Sequence, residues 1–470
     1  MNEREFRIEK DSMGEMKVPA DALYGASTMR AVKNFPVSNL RFQREFIRCI
    51  GLLKKEAARV NSSLNLLDPV ISKAIIRAAE QVEQGKVDKH FVVDVFQTGS
   101  GTSTNMNANE VIANLANSFL ISNKNSRVHP NDHVNFGQSS NDVIPTVIQL
   151  TALVLIKERL IPSMQLLQEE LNKKSKEFWE IIKTGRTHLQ DATPIRLGQE
   201  FLGYSGQIQN GIHRLNHAIE ELAIVPLGGT AVGTGVNTHP EFAKLVCSEL
   251  SKVLGSNICE SGNHFHSQNT IDVLVQACGS IRTVAISLYK IANDIRWMGS
   301  GPRAGIGEIL LPEVQPGSSI MPGKVNPVIS ESLLQVVAQV LGNDLTIMLS
   351  GQGGNFELNT MMPIAGYNLV ESITILSAAI NNFSEMCVKN LQATEQGPNK
   401  VEQGLAICTS LAPVIGYDQA AKIAKEASST GESIKEVAKR RTSLSDVELD
   451  TILDPYKMSE SGFEEGPSSG

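Results

Sequence analysis

The chain has 470 residues, 41% of them apolar and 20% charged, with a formal net charge of −7. That balance describes a globular protein with a large core, and the length suggests about three domains. The acidic balance, the 5% aromatic content and the lack of long basic runs exclude nucleic acid or an anionic membrane surface as the main partner.

No uninterrupted apolar run approaches the roughly 18 residues of a membrane span. The opening MNEREFRIEKDSMGE resembles neither a signal peptide nor an Arg-rich transit peptide, so a cytoplasmic protein is expected. Cys49, Cys247, Cys259, Cys278, Cys387 and Cys408 are widely spaced and contain no C-x-x-C pair. They read as reduced, mostly buried thiols. The pairs His129/His133 and His264/His266 complete no tetrahedral set, and Pro130 interrupts the helical spacing of the first. Neither a metal nor a cofactor is expected.

Residues 1–40 read as irregular. Apolar residues recur at helical spacing from about Phe42 to Asn61 and from Asp68 to Gly85. A loop rich in hydroxyls and amides follows, from Gln97 through Ser100, Gly101 and Thr102 to Asn109, and it runs into a helix ending near residue 121. Its many short hydrogen-bonding side chains suit either a solvated turn or a pocket for a small polar ligand. Ser139, Ser140, Asn141 and Asp142 cap the next helix and form a potential anion cradle.

Periodicity then predicts a helix of about 40 residues from Val143 to about Ile182, bent at Pro162. Similar runs cover about 195–225, 268–299, 327–350 and 361–391. Helices of this length predict a bundle whose remaining apolar faces require other domains or other subunits. Gly185 to Pro194, with Thr187 and His188, forms a loop before the second long helix. Leu227 to Gly235 is Gly-rich, but it lacks the Lys-Ser/Thr of a phosphate-binding loop. A smaller helical region starts near 396 and includes a run to about Ala438. Ser459 to Gly470 reads as disordered.

Residues 317–327, GSSIMPGKVNP, combine Ser318, Ser319, Lys324, Val325 and Asn326 with prolines that forbid a continuous helix. Asn326 reads as the N-cap of the following helix and Pro327 as its first residue. Such a loop fits an anion cradle or an ordinary surface loop. Glu331, one turn into that helix, is placed to orient a histidine or relay a proton. Taken together, the polar loops suit carboxylate binding with general acid–base chemistry and no cofactor.

GSSIMPGKVNP resembles the signature of the fumarase/aspartase superfamily. TGSGTSTNMNANE, HPND with QSSND, GRTHLQDATP, and GGTAVGTG followed by NTHPEF resemble the same family in the same order. The THLQDATP form, Gly323 before the lysine, and GNFELN at 354–359 resemble its class II fumarases. After Pro327 the chain reads Val328-Ile329-Ser330-Glu331 where those enzymes usually carry Thr-Gln-Cys-Glu; Glu331 is retained, while Val328 and MRAVKNFPVS at 29–38 lie closer to aspartate ammonia-lyases. That activity stays open as the alternative. A catalytically silent structural protein on the same scaffold is the other.

The resemblance implies a mainly α three-domain fold: 1–138, a central bundle of five long helices at 139–395, and 396–470. It implies a homotetramer with a twenty-helix core and active sites drawn from three subunits. It implies fumarate and malate as substrates, with an aci-carboxylate carbanion between them. His188, Ser318 and Glu331 would be catalytic. Ser100, Gly101, Thr102, Ser139, Ser140, Asn141, Thr187, Ser319, Lys324, Val325 and Asn326 would bind substrate. Arg127, His129, Pro130, Asn131 and Asp132 resemble the family's second, non-catalytic dicarboxylate site.

Overall fold

The structure is a computed structural model and describes residues 6–120 and 127–462. Helices dominate, and the described strands form only two-stranded ladders. The first ladder corrects the irregular reading of residues 1–40. Phe6–Asp11 (β1) pairs antiparallel with Gly14–Pro19 (β2), from Phe6 opposite Pro19 to Asp11 opposite Gly14. Six-residue arms this rich in charge carry too little apolar contrast for alternation to stand out in the sequence. Arg7 donates to the carbonyls of Pro19 (2.9 Å), Ala22 (2.6 Å) and Tyr24 (2.8 Å), tying β1 to the start of Ala26–Asn34 (α1). The Glu110 carboxylate accepts from the backbone N–H groups of Gly25, Ser27 and Thr28 at 2.8–3.1 Å, a negative charge on a helix N-terminus.

Arg44–Ser63 (α2) and Pro69–Glu83 (α3) follow the expected periodic runs. Asp68 caps α3 by accepting from Val70 N (2.8 Å) and Ile71 N (3.2 Å), with Pro69 at the first helical position. Thr102–Phe119 (α4) completes this region, which buries Val18, Ile47, Ile75, Val82, Val111 and Ile112 in one cluster.

The first long run is Ser140–Leu155 (α5), a π turn at Ile156–Leu160, and Ile161–Glu177 (α6). Pro162 has no N–H and crowds the carbonyl four residues back, so the ladder widens just before it. The run ends at Glu177 rather than near Ile182, because Ile182–Thr187 (β3) pairs with Gln190–Arg196 (β4) instead. Leu197–Leu222 (α7), Phe242–Leu254 (α8), His264–Asn269 (α9), Asp272–Met298 (α10), Val328–Gly351 (α11) and Met362–Met386 (α12) follow. The small C-terminal helices are Gln396–Val401 (α13), Ala412–Ile415 (α14), Tyr417–Thr430 (α15), Ile434–Arg441 (α16), Asp446–Ile452 (α17) and Pro455–Met458 (α18).

The residues fall into two compact units, 1–162 with 211–285 and 336–377, and 163–210 with 286–335 and 378–470. Within the first unit, Gly366 of α12 lets α5 approach closely, since a Cβ there would lie 2.8 Å from Ile148. Asn343 of α11 donates to Ser372 of α12 (3.1 Å), and Arg282 of α10 pairs with Asp344 of α11 (2.8 Å). Within the second unit, Tyr204 of α7 donates to Asp294 of α10 (3.0 Å). Buried Glu308 holds the β3–β4 hairpin through Lys183 (3.3 Å) and Arg186 (2.7 Å).

The C-terminal helices bury Ile407, Leu411, Ile423, Val437, Leu449 and Leu453 together. The expected run to Ala438 is broken at Gly431 (φ 77°), and Ser433 restarts it with a capping box to Glu436. The expectation of disorder from Ser459 is also corrected at its start. Gln199 donates to Ser459 O (2.8 Å) and Arg196 to Glu460 (2.6 Å); residues 463–470 lie outside the described residues.

Two helical stretches, Val328–Gly351 and Met362–Asn390, match a membrane span in length and composition, although isolated polar residues interrupt their apolar runs. This qualifies the reading from uninterrupted runs alone: both carry apolar residues on more than one face. Only 33% of the apolar window in Val328–Gly351 is buried. Leu341, Leu345, Met348 and Leu349 are 37–52% exposed, at the spacing of one helix face. That stripe is uncovered in the single chain.

Candidate active site

The first group of expected site residues lies within the first unit, where α4 and α5 begin. Gly101, N-cap of α4, has φ 72°, and a Cβ on it would sit 2.8 Å from Ile144. Only glycine turns the chain this way at no steric cost. Thr102 Oγ1 then lies 2.7 Å from Ser100 Oγ and 2.7 Å from Ser140 Oγ. Ser139 caps α5 in a capping box with Asp142, as the sequence indicates, and Asn141 Nδ2 donates to Ala231 O (2.8 Å). Four hydroxyls and an amide thus gather where free backbone N–H groups and the helix dipole favour an anion.

Beneath this cluster lie a second role of Asp142, which the sequence showed only as part of the cap, and a lysine that sequence reasoning missed. Asp142 is fully buried, and besides capping α5 it accepts from Gly228 N (3.1 Å) and Thr230 N (2.9 Å), which docks the Gly-rich 227–235 loop. Burial pushes its carboxyl above the usual range, against the pull of those backbone donors. Lys54 of α2, also fully buried, donates to Asn135 Oδ1 (2.9 Å) and Gln138 Oε1 (3.0 Å). Desolvation drops its ammonium to about 7, opposed by the Asp142 charge. The available signal was a lysine on the same helical face as Ile50, Ala57 and Asn61, inside an apolar stripe.

The second group lies within the second unit. The loop at 317–327 is closed by its own backbone: Asn326 Nδ2 donates to Gly317 O, and a Cβ on Gly317 would lie 1.7 Å from Lys324 O. Ser318 Oγ accepts from Ile320 N (3.2 Å) and Met321 N (3.1 Å). Two amides aimed at one hydroxyl oxygen favour negative charge on it. Ser319, Lys324 and Val325 are exposed, and Lys324 forms no ion pair among the described residues. The helix begins at Val328, so Pro327, whose carbonyl accepts from Glu331 N (3.0 Å), occupies the cap. Asn326 is therefore one residue outside the cap position expected for it, with one of its two amide N–H groups closing the loop. Glu331 and Lys324 line a cavity of about 570 Å³ with Arg296, Trp297, Pro302 and Val325.

Thr187 ends β3, and His188 with Leu189 forms a two-residue hairpin tip where both residues have positive φ, 57° and 59°. This is the type I′ geometry that Asn-Gly usually occupies. Sequence reasoning saw an open loop because neither residue advertises that turn. Positive φ at two adjacent non-glycine residues stores backbone strain at this exposed tip. Within the chain His188 makes no hydrogen bond to Glu331, and neither side chain has a hydrogen-bonded partner among the described residues.

The remaining group, Arg127 to Asp132, enters a π turn at Pro130–Val134. Pro130 starts this turn rather than separating the flanking histidines. His129 Nδ1 lies 3.1 Å from Asp132 Oδ2, and His133 Nδ1 accepts from His129 N (2.9 Å). Arg127, Asn131 and Asp132 are exposed.

A family model described as "Lyase" matches residues 14–342, and one described as "Fumarase C C-terminus" matches 407–460. The class II fumarate hydratase of Nitrosomonas europaea is 48% identical over 97% of this chain and 99% of its own. That of Halobacterium salinarum is 48% identical over 98% and 99%. Among solved structures, the class II fumarase of Schistosoma mansoni superposes with a TM-score of 0.94 at 35% identity, covering 97% of this chain and 99% of that one. A fumarate lyase:delta crystallin from Brucella melitensis bound to cobalt gives 0.93 at 41% identity, covering 97% and 100%. With the polar loops in place and full-length likeness in both sequence and fold, this chain belongs to the class II fumarate hydratase family of lyases.

Proposed function

We propose that the protein is a fumarate hydratase, adding water reversibly to fumarate to give (S)-malate, as in the citric acid cycle. The observation that carries this reading is the Ser318 hydroxyl, held by two backbone amides in a loop with an unpaired lysine, in a chain of this family. In the dehydration of malate, Ser318 Oγ as an alkoxide takes the C3 proton. The electron pair moves into the adjacent carboxylate, giving an aci-carboxylate that preorganised donors stabilise. Lys324 and Asn326 serve that carboxylate. Ser100, Thr102, Ser139, Ser140, Asn141, Thr187 and Ser319, with the backbone at Gly101 and Val325, complete the donor set. His188, oriented by Glu331, gives a proton to the C2 hydroxyl, which leaves as water.

The site is assembled from three subunits of a homotetramer whose core holds twenty helices. Two observations support this: the His188 and Glu331 side chains have no hydrogen-bonded partner among the described residues, and the α11 stripe is exposed. Separate buried clusters at 18–134 and 407–453 support a division into 1–138, 139–395 and 396–470. Arg127, His129, Pro130, Asn131 and Asp132 form a second dicarboxylate site. A cytoplasmic location fits the acidic balance of the chain.

Malate formation from fumarate in ammonia-free buffer tests the activity, with fumarate absorbance followed in parallel with and without ammonia. Fumarate loss only when ammonia is present would establish aspartate ammonia-lyase instead, a reading that the relatives named above do not favour. No turnover under either condition would point to a silent scaffold, against which the retained His188, Ser318, Lys324, Asn326 and Glu331 argue.

A further inference from the structure

The substrate turn at the start of α5 is built on a buried charge that the mechanism above does not use. Lys54 is 0% exposed, in a helix face of Ile50, Ala57 and Ala58. A lysine placed there loses its hydration and must be held by other groups. Its Nζ donates to Asn135 Oδ1 (2.9 Å) and Gln138 Oε1 (3.0 Å). Asn135 Oδ1 also accepts from Asn105 (3.1 Å) and Asn109 (3.2 Å) of α4, so one oxygen joins the ammonium to the helix that Thr102 opens. Asn135 Nδ2 donates to Gln138 O (3.1 Å), and Gln138 Nε2 to Val134 O (3.2 Å) and Phe136 O (3.2 Å). Residues 134–138 are thus folded around the lysine, and the next residue is Ser139.

We propose that Lys54 is a positioning residue for the substrate carboxylate: its buried ammonium fixes the 135–138 turn, and with it the Ser139, Ser140 and Asn141 donors. This rests on the reading of those three residues as substrate ligands. An apolar side chain of similar length would leave Gln138 Oε1 without its donor and Asn135 Oδ1 with only Asn105 and Asn109, loosening the turn. It would also remove a positive charge from beneath an anion site. The charge that bears on Lys54 is Asp142 on α5; α4 and the turn present neutral amides, and α3 and α8 bring no charge that shifts it. Lys54 loses its proton near pH 7, so the carboxylate site weakens as pH rises through that region.

The test uses the full-length enzyme with Lys54→Met. Expected is a KM for fumarate raised about tenfold or more, the scale of a charge-assisted contact, with kcat within about threefold. The rise of KM between pH 6.5 and 8.5 in the parent should flatten in the variant, a change that loss of structure alone does not produce. Gln138→Met, which cuts the link and keeps the lysine, should raise KM in the same way and decides the matter if Lys54→Met does not fold. Ser140→Ala and Asn141→Ala are measured alongside. If they raise KM while the folded Lys54 or Gln138 variant keeps the parent KM and its pH dependence, the role of Lys54 is overturned by itself. If they leave KM unchanged, the underlying ligand reading falls and takes this inference with it.

Discussion

Thr102 Oγ1 and Ser140 Oγ lie 2.7 Å apart, although 38 residues separate them in the chain. Each opens a helix, Thr102 that of α4 and Ser140 that of α5, so the contact brings two helix N-termini, with their positive dipole ends, to one place. The substrate reading makes Ser140→Ala a binding variant. We expect KM for fumarate to rise about tenfold, the cost of one hydrogen bond to a charged group, with the fold intact by circular dichroism. Initial rates across fumarate concentrations check it; an unchanged KM removes Ser140 from the site.

Ser318→Ala and His188→Asn address the chemical step. Each should lower kcat by at least ~10²-fold, the usual scale of general acid–base assistance. The loss of fumarate absorbance measures it directly. Near-normal turnover in either variant takes that residue out of proton transfer.

The α11 stripe predicts a concentration-dependent enzyme. Leu345 is 52% exposed in the single chain. Covering the exposed half of this side chain in a partner contact contributes about 1 kcal/mol, whereas an aspartate there brings an unpaired charge into the same contact. Leu345→Asp should therefore shift sedimentation towards smaller species and reduce specific activity on dilution. A variant that sediments and turns over like the parent rules out this face as an interface.

Gly101 offers a stability test close to the site. Its φ of 72° and the 2.8 Å approach of Ile144 both oppose a side chain. Gly101→Ala should cost about 1–3 kcal/mol of strain and crowding. The midpoint of denaturant unfolding should fall, and KM should rise with it because Thr102 is the next residue.

Lys54 sets a stability trend with pH. Its folded pKa is lowered to about 7 from an ordinary 10.5, so between these values the unfolded chain holds a proton that the folded chain lacks. Stability from this group therefore rises with pH over that window, by up to about 5 kcal/mol for a shift of this size. Unfolding free energies at pH 7 and 9.5 should differ more in the parent than in Lys54→Met. Equal differences in the two proteins would place the ammonium in a wetter setting.

The sequence by itself determined the helical architecture and the chemical class. Periodic apolar residues located α2, α3 and the five long runs to within a few residues, because a 3.6-residue repeat survives without tertiary information. The start of α4 was misread: its first turns, from Thr102, are so rich in hydroxyls and amides that they read as loop to Asn109. The motif loops around Ser100, Ser139, Thr187 and Ser318 were legible for a different reason: their hydroxyl, amide and glycine content suits no apolar core. Only the tertiary structure decided which of these groups meet. The Ser318 amide cradle, the strained tip at His188 and the link from Thr102 to Ser140 depend on local φ values and on long-range approach, neither of which a residue's identity records. Lys54 shows the limit most clearly. In the sequence it is one lysine of a pair on an amphipathic helix, and only burial against Asn135 and Gln138 makes its charge part of the site.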